Sequence, residues 1–256
     1  MAGPVSALSK VSVGGRFRVA YFALAALFGA AVGAFVVFER APAPQPPPAW
    51  SSWKPSAADP QLQVQQIATH VGAQYHLSRD QKLVNVVVGS PIDPSTTPIS
   101  AVAVAKTTHP GAKSSDYRFY DLSTTAMYTL CGDPKLRCAI REGKPSKVRG
   151  ALVEREAFEL ALYTLRYVRG TRNVVAFFPP PKGQGFSHAL FFKSNDVQQE
   201  LQQPLDRTLR GKPPLPSQLS VRDRQLIAGL TATRMFNVSL ANAKSGSLLI
   251  LVPASS

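Results

Sequence analysis

Twenty consecutive positions, Val19 to Phe38 (VAYFALAALFGAAVGAFVVF), carry no charge, side-chain amide or proline. Soluble helices keep a polar stripe, and a helix of this length rises ~30 Å, the thickness of a hydrocarbon layer. The stretch predicts a membrane-spanning helix over residues 19–38. Lys10, Arg16 and Arg18 precede it without an acid, whereas Glu39 and Arg40 cancel just after it. Residues 1–18 are therefore expected in the cytoplasm and residues 39–256 outside it. A cleaved leader has a shorter apolar region, ~7 to 15 residues, and Pro44 would follow the small residues Ala41-Pro42-Ala43 in an extended protease site. No cysteine follows the span to carry a lipid, so a retained signal anchor is expected. Ala25, Gly29 and Gly33 share one face of this helix. Such a face suits a weak homodimer, and it equally suits the ordinary abundance of Ala and Gly in membrane helices.

The pattern then changes. APAPQPPP at 41–48 favours an extended polyproline spacer, and residues 39–58 read as a linker. Trp50 and Trp53 follow at once, placed either to dock the linker on a domain or to rest at a lipid interface. Asp59-Pro60 is a helix start, with Leu62, Ile67, Val71 and Tyr75 on one face to about Leu77. Residues 83–88 and 99–106 are β-branched runs bounded by turn residues, and 117–130 is a further extended stretch. A strong helix is predicted over 151–169, with Glu154, Glu156 and Glu159 at its positive end and Arg166 and Arg169 at its negative end. Strands 174–178 and 188–193 follow. A helix capped by Asn195 or Asp196 should be kinked or split by Pro204, and Ser220 with Asp223 resembles a capping box. Alternating Phe236, Val238 and Leu240, a turn at 244–246 and a return strand at 248–252 close the chain as a hairpin. Helices and strands intersperse without regular alternation. The expected fold of residues 59–256 is α+β, a mostly antiparallel sheet packed by helices, in one domain or two subdomains.

Charge narrows the partners. The chain carries a formal charge of +14, and beyond residue 40 there are 25 Lys and Arg against 14 Asp and Glu. Lys135, Arg137, Arg141, Lys144, Lys147 and Arg149 crowd one stretch containing a single acid, Glu142. They would meet anionic lipid or an anionic wall polymer, or form a solvated loop. Nucleic acid is not expected, because no aromatic-basic module accompanies the charge. Cys131 and Cys138 flank a Gly-Asp-Pro turn and are expected to form a disulfide, in keeping with an oxidising compartment. A metal pair would need further ligands, and no cofactor or metal is expected.

A catalytic motif is hard to find. His70 and His76, six apart on the predicted helix, point to opposite sides, and His109 stands alone. Ser187 and His188 adjoin on a predicted strand, whose neighbouring side chains diverge, which argues against a dyad. No P-loop, HExxH or GxSxG occurs. Glu156 and Glu159 are a formal carboxylate pair for which dipole compensation is the simpler account. The runs AFELALYTLRYVRGTRNVVAFFPPP (157–181) and VQQELQQPLDRTL (197–209) resemble uncharacterised single-pass membrane proteins of high-GC actinobacteria. That resemblance implies an envelope location and no particular activity. The expectation is a single-pass envelope protein with a non-catalytic outer binding or assembly module, its partners the bilayer and an envelope protein or anionic polymer. The alternative is an envelope hydrolase with an unfamiliar site near Ser187 and His188.

Overall fold

The computed structural model describes residues 13–40, 49–91, 99–111, 113–133, 135, 138–140, 145–243 and 246–254. The chain divides into two units, Met1–Pro48 and Ala49–Ser256. The described part of the first is helix α1 (Val13–Arg40), which contains the whole apolar stretch together with Ala25, Gly29 and Gly33. Among the described residues no helix is long and apolar enough to cross a membrane, so the spanning expectation gains nothing from the fold.

The second unit is a mixed α+β body. In chain order its elements are α2 (Pro60–Gly72), β1 (His76–Ser78), β2 (Gln81–Lys82), β3 (Asn85–Val88), β4 (Ile99–Ala105), β5 (Tyr117–Tyr120), β6 (Thr125–Cys131) and α3 (Lys147–Tyr167), followed by β7 (Asn173–Phe177), β8 (His188–Lys193), α4 (Gln198–Gln202), α5 (Leu205–Leu209), α6 (Val221–Thr231), β9 (Met235–Ala243) and β10 (Gly246–Pro253). Strands β1 and β2 form a small hairpin, and the other eight make one sheet in the order β3-β6-β7-β8-β9-β10-β4-β5. Its β6–β7 and β10–β4 pairs are parallel and the rest antiparallel.

Both faces of the sheet are buried at β7 and over most of β8. Val174, Ala176, Leu190 and Phe192 face α2 and α3, while their neighbours Val175, Phe177, Ala189 and Phe191 enter a second core with Val102, Leu249 and Leu251. This is the period of two read on two covered faces, and it explains why β7 is an unbroken apolar run. In a flat sheet four strand spacings separate β5 from β8 by roughly 19 Å. Yet the rings of Tyr120 on β5 and Phe191 on β8 have centroids 5.0 Å apart. The sheet is therefore curled, with its second core on the concave side.

Local signals set several boundaries. Asp59 accepts from Leu62 N–H at 2.9 Å with Pro60 opening α2, Ser220 accepts from Asp223 N–H at the start of α6, and Pro204 divides α4 from α5. Cys131 and Cys138 are disulfide-bonded. Gly132 in this turn admits no side chain, since a Cβ there would lie 2.5 Å from the carbonyl oxygen of Ala139. Other boundaries differ from expectation. Helix α2 stops at Gly72, because Tyr75 turns inward and is buried, and His76 joins β1 instead of sharing a helix with His70. The extended stretch 117–130 is broken at Leu122–Thr124, where Asp121 caps a single helical turn. Helix α3 begins at Lys147, capped by Ser146.

Trp50 docks. It is 8% exposed, its indole N–H donates to the Glu200 carbonyl at 3.2 Å, and its own carbonyl accepts from Leu205 N–H at 2.7 Å. Its ring meets Tyr163 and Tyr167 edge-on, and Trp53 stacks on His70 at 3.9 Å. Trp50→Ala is expected to cost about 3 to 5 kcal/mol, the range for emptying a buried aromatic site, with Trp50→Phe costing less. Urea unfolding followed by far-UV circular dichroism measures this, and a loss under about 1 kcal/mol would show that the docking is superficial.

Candidate functional site

The basic stretch does not form one surface. Lys135 and Lys147 are exposed, but Arg149 is 6% exposed in the first turn of α3, so it is not part of a solvent-facing patch. Its burial follows from the earlier start of the helix, which turns this position toward the interior. Arg137, Arg141 and Lys144 lie outside the described residues.

The same shift overturns the dipole account of the three glutamates. The field of a helix end fades within the first turn, and Glu154 is already the eighth residue of α3. Glu156 and Glu159 are buried mid-helix instead, at 0% and 4% exposure. Tyr75 donates its hydroxyl proton to Glu159 Oε2 at 2.6 Å, and Arg155 donates to the Tyr75 oxygen at 2.9 Å. The other end of the guanidinium donates to the carbonyls of Leu209, at 3.2 Å, and Gly211, at 2.6 Å. Arg155 thus ties the residues after α2 to the end of α5. Neither carboxyl oxygen of Glu156 has a hydrogen-bond partner among the described residues. A Cβ on Gly72 would approach Glu156 Oε1 to 3.8 Å and Val86 Cγ2 to 3.0 Å, so α2 packs against this carboxyl through a bare backbone. Burial first, and the charge of Glu159 second, push the Glu156 carboxyl well above the usual range, with Lys82 opposing. Burial also raises Glu159, against Tyr75 and Arg155. The cluster is sealed from solvent, and its two carboxyls are held toward the neutral form.

Ser187 and His188 do hydrogen-bond, contrary to expectation. Ser187 Oγ lies 2.8 Å from His188 Nδ1. Strand β8 begins at His188, so Ser187 precedes the pleat that would have separated the two side chains. His188 is exposed and Ser187 partly so. Among the described residues no carboxylate is hydrogen-bonded to this imidazole, and the orienting member of a triad is missing from the described set.

A feature that no sequence signal marked is a groove of about 720 Å³ between the first half of α2, the end of β3 and the start of β6. Val64, Val88, Ile99, Leu122, Met127 and Val168 form its apolar walls. Gln61, Gln65, Ser123 and Thr171 supply uncharged polar groups, and none of the described lining residues is charged. A smaller cavity of about 120 Å³ lies beside Arg155, Arg210, Lys212 and Asp223.

A carboxyl with a raised folded value stabilises the fold below its unfolded value, and that contribution is lost as pH rises through the folded value. Glu156→Gln, which fixes the neutral form, should therefore flatten the loss of stability from about pH 5 upward, removing a slope of up to about 1.4 kcal/mol per pH unit. Urea unfolding of both proteins across this range tests the sign. Identical pH profiles would show that Glu156 is charged in the fold.

Comparison with protein-family models, with curated proteins and with solved structures finds no match to this chain.

Proposed function

We propose that the chain is a single-pass envelope protein that holds a non-catalytic binding module outside the cytoplasm, the α2–β3–β6 groove being the module's ligand site. The observation that carries this reading is the Cys131–Cys138 disulfide, because structural disulfides belong to oxidising compartments. Three further features support it. The Val19–Phe38 stretch is apolar throughout and its flanking charges are asymmetric. Seven large apolar side chains of α1, including Tyr21, Phe22, Leu27 and Phe28, are exposed, and an exposed apolar run of this kind calls for lipid or a partner helix. Ala25, Gly29 and Gly33 give such a helix a close-approach face. Lys135 and Lys147 offer an anionic lipid or polymer a contact, without Arg149.

In intact bacterial cells expressing the full chain, added protease should remove a tag placed after Ser256, and both cysteines should resist maleimide until reductant is supplied. A tag protected until lysis, or thiols that react without reductant, would falsify the topology. Replacing both cysteines with serine should cost about 2 to 3 kcal/mol, the value for closing so short a loop.

The 2.8 Å contact between Ser187 and His188 favours a second reading, a hydrolase that uses Ser187 as nucleophile and His188 as base. Ser187→Ala and His188→Ala should then each abolish turnover of p-nitrophenyl esters by the purified chain. Turnover untouched by both substitutions removes this reading.

A further inference from the structure

We propose that the groove between α2, β3 and β6 binds an uncharged molecule built on a single hydrocarbon chain. The inference rests on the reading of Ala49–Ser256 as a binding module and names the class of ligand that it takes.

The position of the groove is the first argument. Val88 belongs to β3, the first strand of the sheet order, and Ile99 to β4, six places along it, yet both line the same groove. The groove is thus the seam at which the curled sheet comes back toward its own edge. Val64 and Val168 reach it from the core under the helices, while Ile99, Leu122 and Met127 reach it from the concave core. Two apolar interiors open onto one space that the described residues leave unfilled, in the manner of ligand sites at the mouths of small barrels. Its volume of about 720 Å³ falls within the ~300 to 1,000 Å³ usual for such sites.

Chemistry of the walls gives the class. Although the chain carries a formal charge of +14, the described lining is without charge. A phosphate, carboxylate or ammonium placed there would lose its hydration and find no counter-charge among the described residues, at a cost of several kcal/mol. Six of the fifteen described lining residues, Gln61, Gln65, Ser90, Ser123, Thr125 and Thr171, carry uncharged polar groups, and the others are apolar or glycine. Three of the polar groups stand at the exposed rim, while Ser90, Thr125 and Thr171 are half-buried beside Ile99, Leu122 and Met127. Gln61, Gln65 and Ser123 are exposed, whereas Val64 and Val168 are buried. Amides and a hydroxyl at the rim over a mostly apolar floor match a chain with a small neutral head. At the lip Gly89 has φ +116° and open space where a side chain would stand. Its bare backbone keeps the mouth clear, in a conformation that other residues rarely adopt.

The test uses the full-length chain in phosphatidylcholine vesicles containing a monoacylglycerol with a diazirine in its acyl chain. After irradiation, adducts are mapped by mass spectrometry. Adducts are expected on the peptides carrying Val88, Ile99, Leu122 and Met127. They should be lost in Val88→Trp and, separately, in Gln61→Trp. Both positions are exposed in the fold, and near-UV circular dichroism verifies that each variant is folded. Adducts within residues 19–38 report membrane insertion and should be indifferent to either tryptophan. If those are absent while groove labelling persists and is blocked by tryptophan, the membrane reading fails and the ligand assignment stands. Groove peptides that stay unlabelled, or labelling that ignores both tryptophans, overturn the assignment. So does labelling displaced by an added unacylated peptide but not by unlabelled monoacylglycerol, which would mark a peptide groove instead.

Discussion

Helix α3 is buried on almost every side, and the rest of the second unit is arranged around that fact. Of its 21 residues 14 are buried, among them Arg149, Arg155, Glu156 and Glu159. A helix enclosed in this way cannot send its polar side chains to water, so each must be met from within the protein or held neutral. Arg155 is met by Tyr75 and by two carbonyls at and just after the end of α5, and Glu159 by Tyr75. Thr164, on the sheet side, shares a 2.6 Å hydrogen bond with Tyr128 of β6. Glu156 is left with packing alone, which is why its neutral form is the one that the fold accepts.

The features legible in the sequence are those decided over a few residues. Asp59-Pro60, Ser220 with Asp223, Pro204 and the final hairpin each act through neighbouring backbone groups, and the structure places each where its chemistry requires. The disulfide belongs here too, because the chain turns back after Gly132 and Asp133, whose backbone groups hydrogen-bond to Cys138. The features that escape the sequence depend on distant partners. Tyr75 and Glu159 are 84 residues apart, and nothing near Glu159 announces that it will be enclosed. The three glutamates mimic a dipole pattern only if α3 starts at residue 151. The Ser146 cap, five residues upstream, removes that coincidence. Ser187 and His188 show how much hangs on one position, since a strand beginning one residue earlier would have parted them.

The groove was out of reach for a related reason. Its walls come from α2, β3, β4, β6 and the end of α3, and no local periodicity records that a sheet will curl until its first and seventh strands approach. Burial on both faces also erases the alternation that normally marks a strand's inner side. A chain read position by position therefore yields the elements and their caps, while the space left between them is a property of the assembled sheet.

The anchorage of Trp50 bears on how the molecule is made. Its indole donates to a carbonyl 150 positions further along the chain, so the groups that receive it do not exist while the first three-quarters of the polypeptide is being synthesised. During translation the segment after the proline stretch must wait, undocked, until α4 and α5 have emerged. The start of the second unit is thus fastened late, and a chain truncated before residue 200 would leave Trp50 undocked.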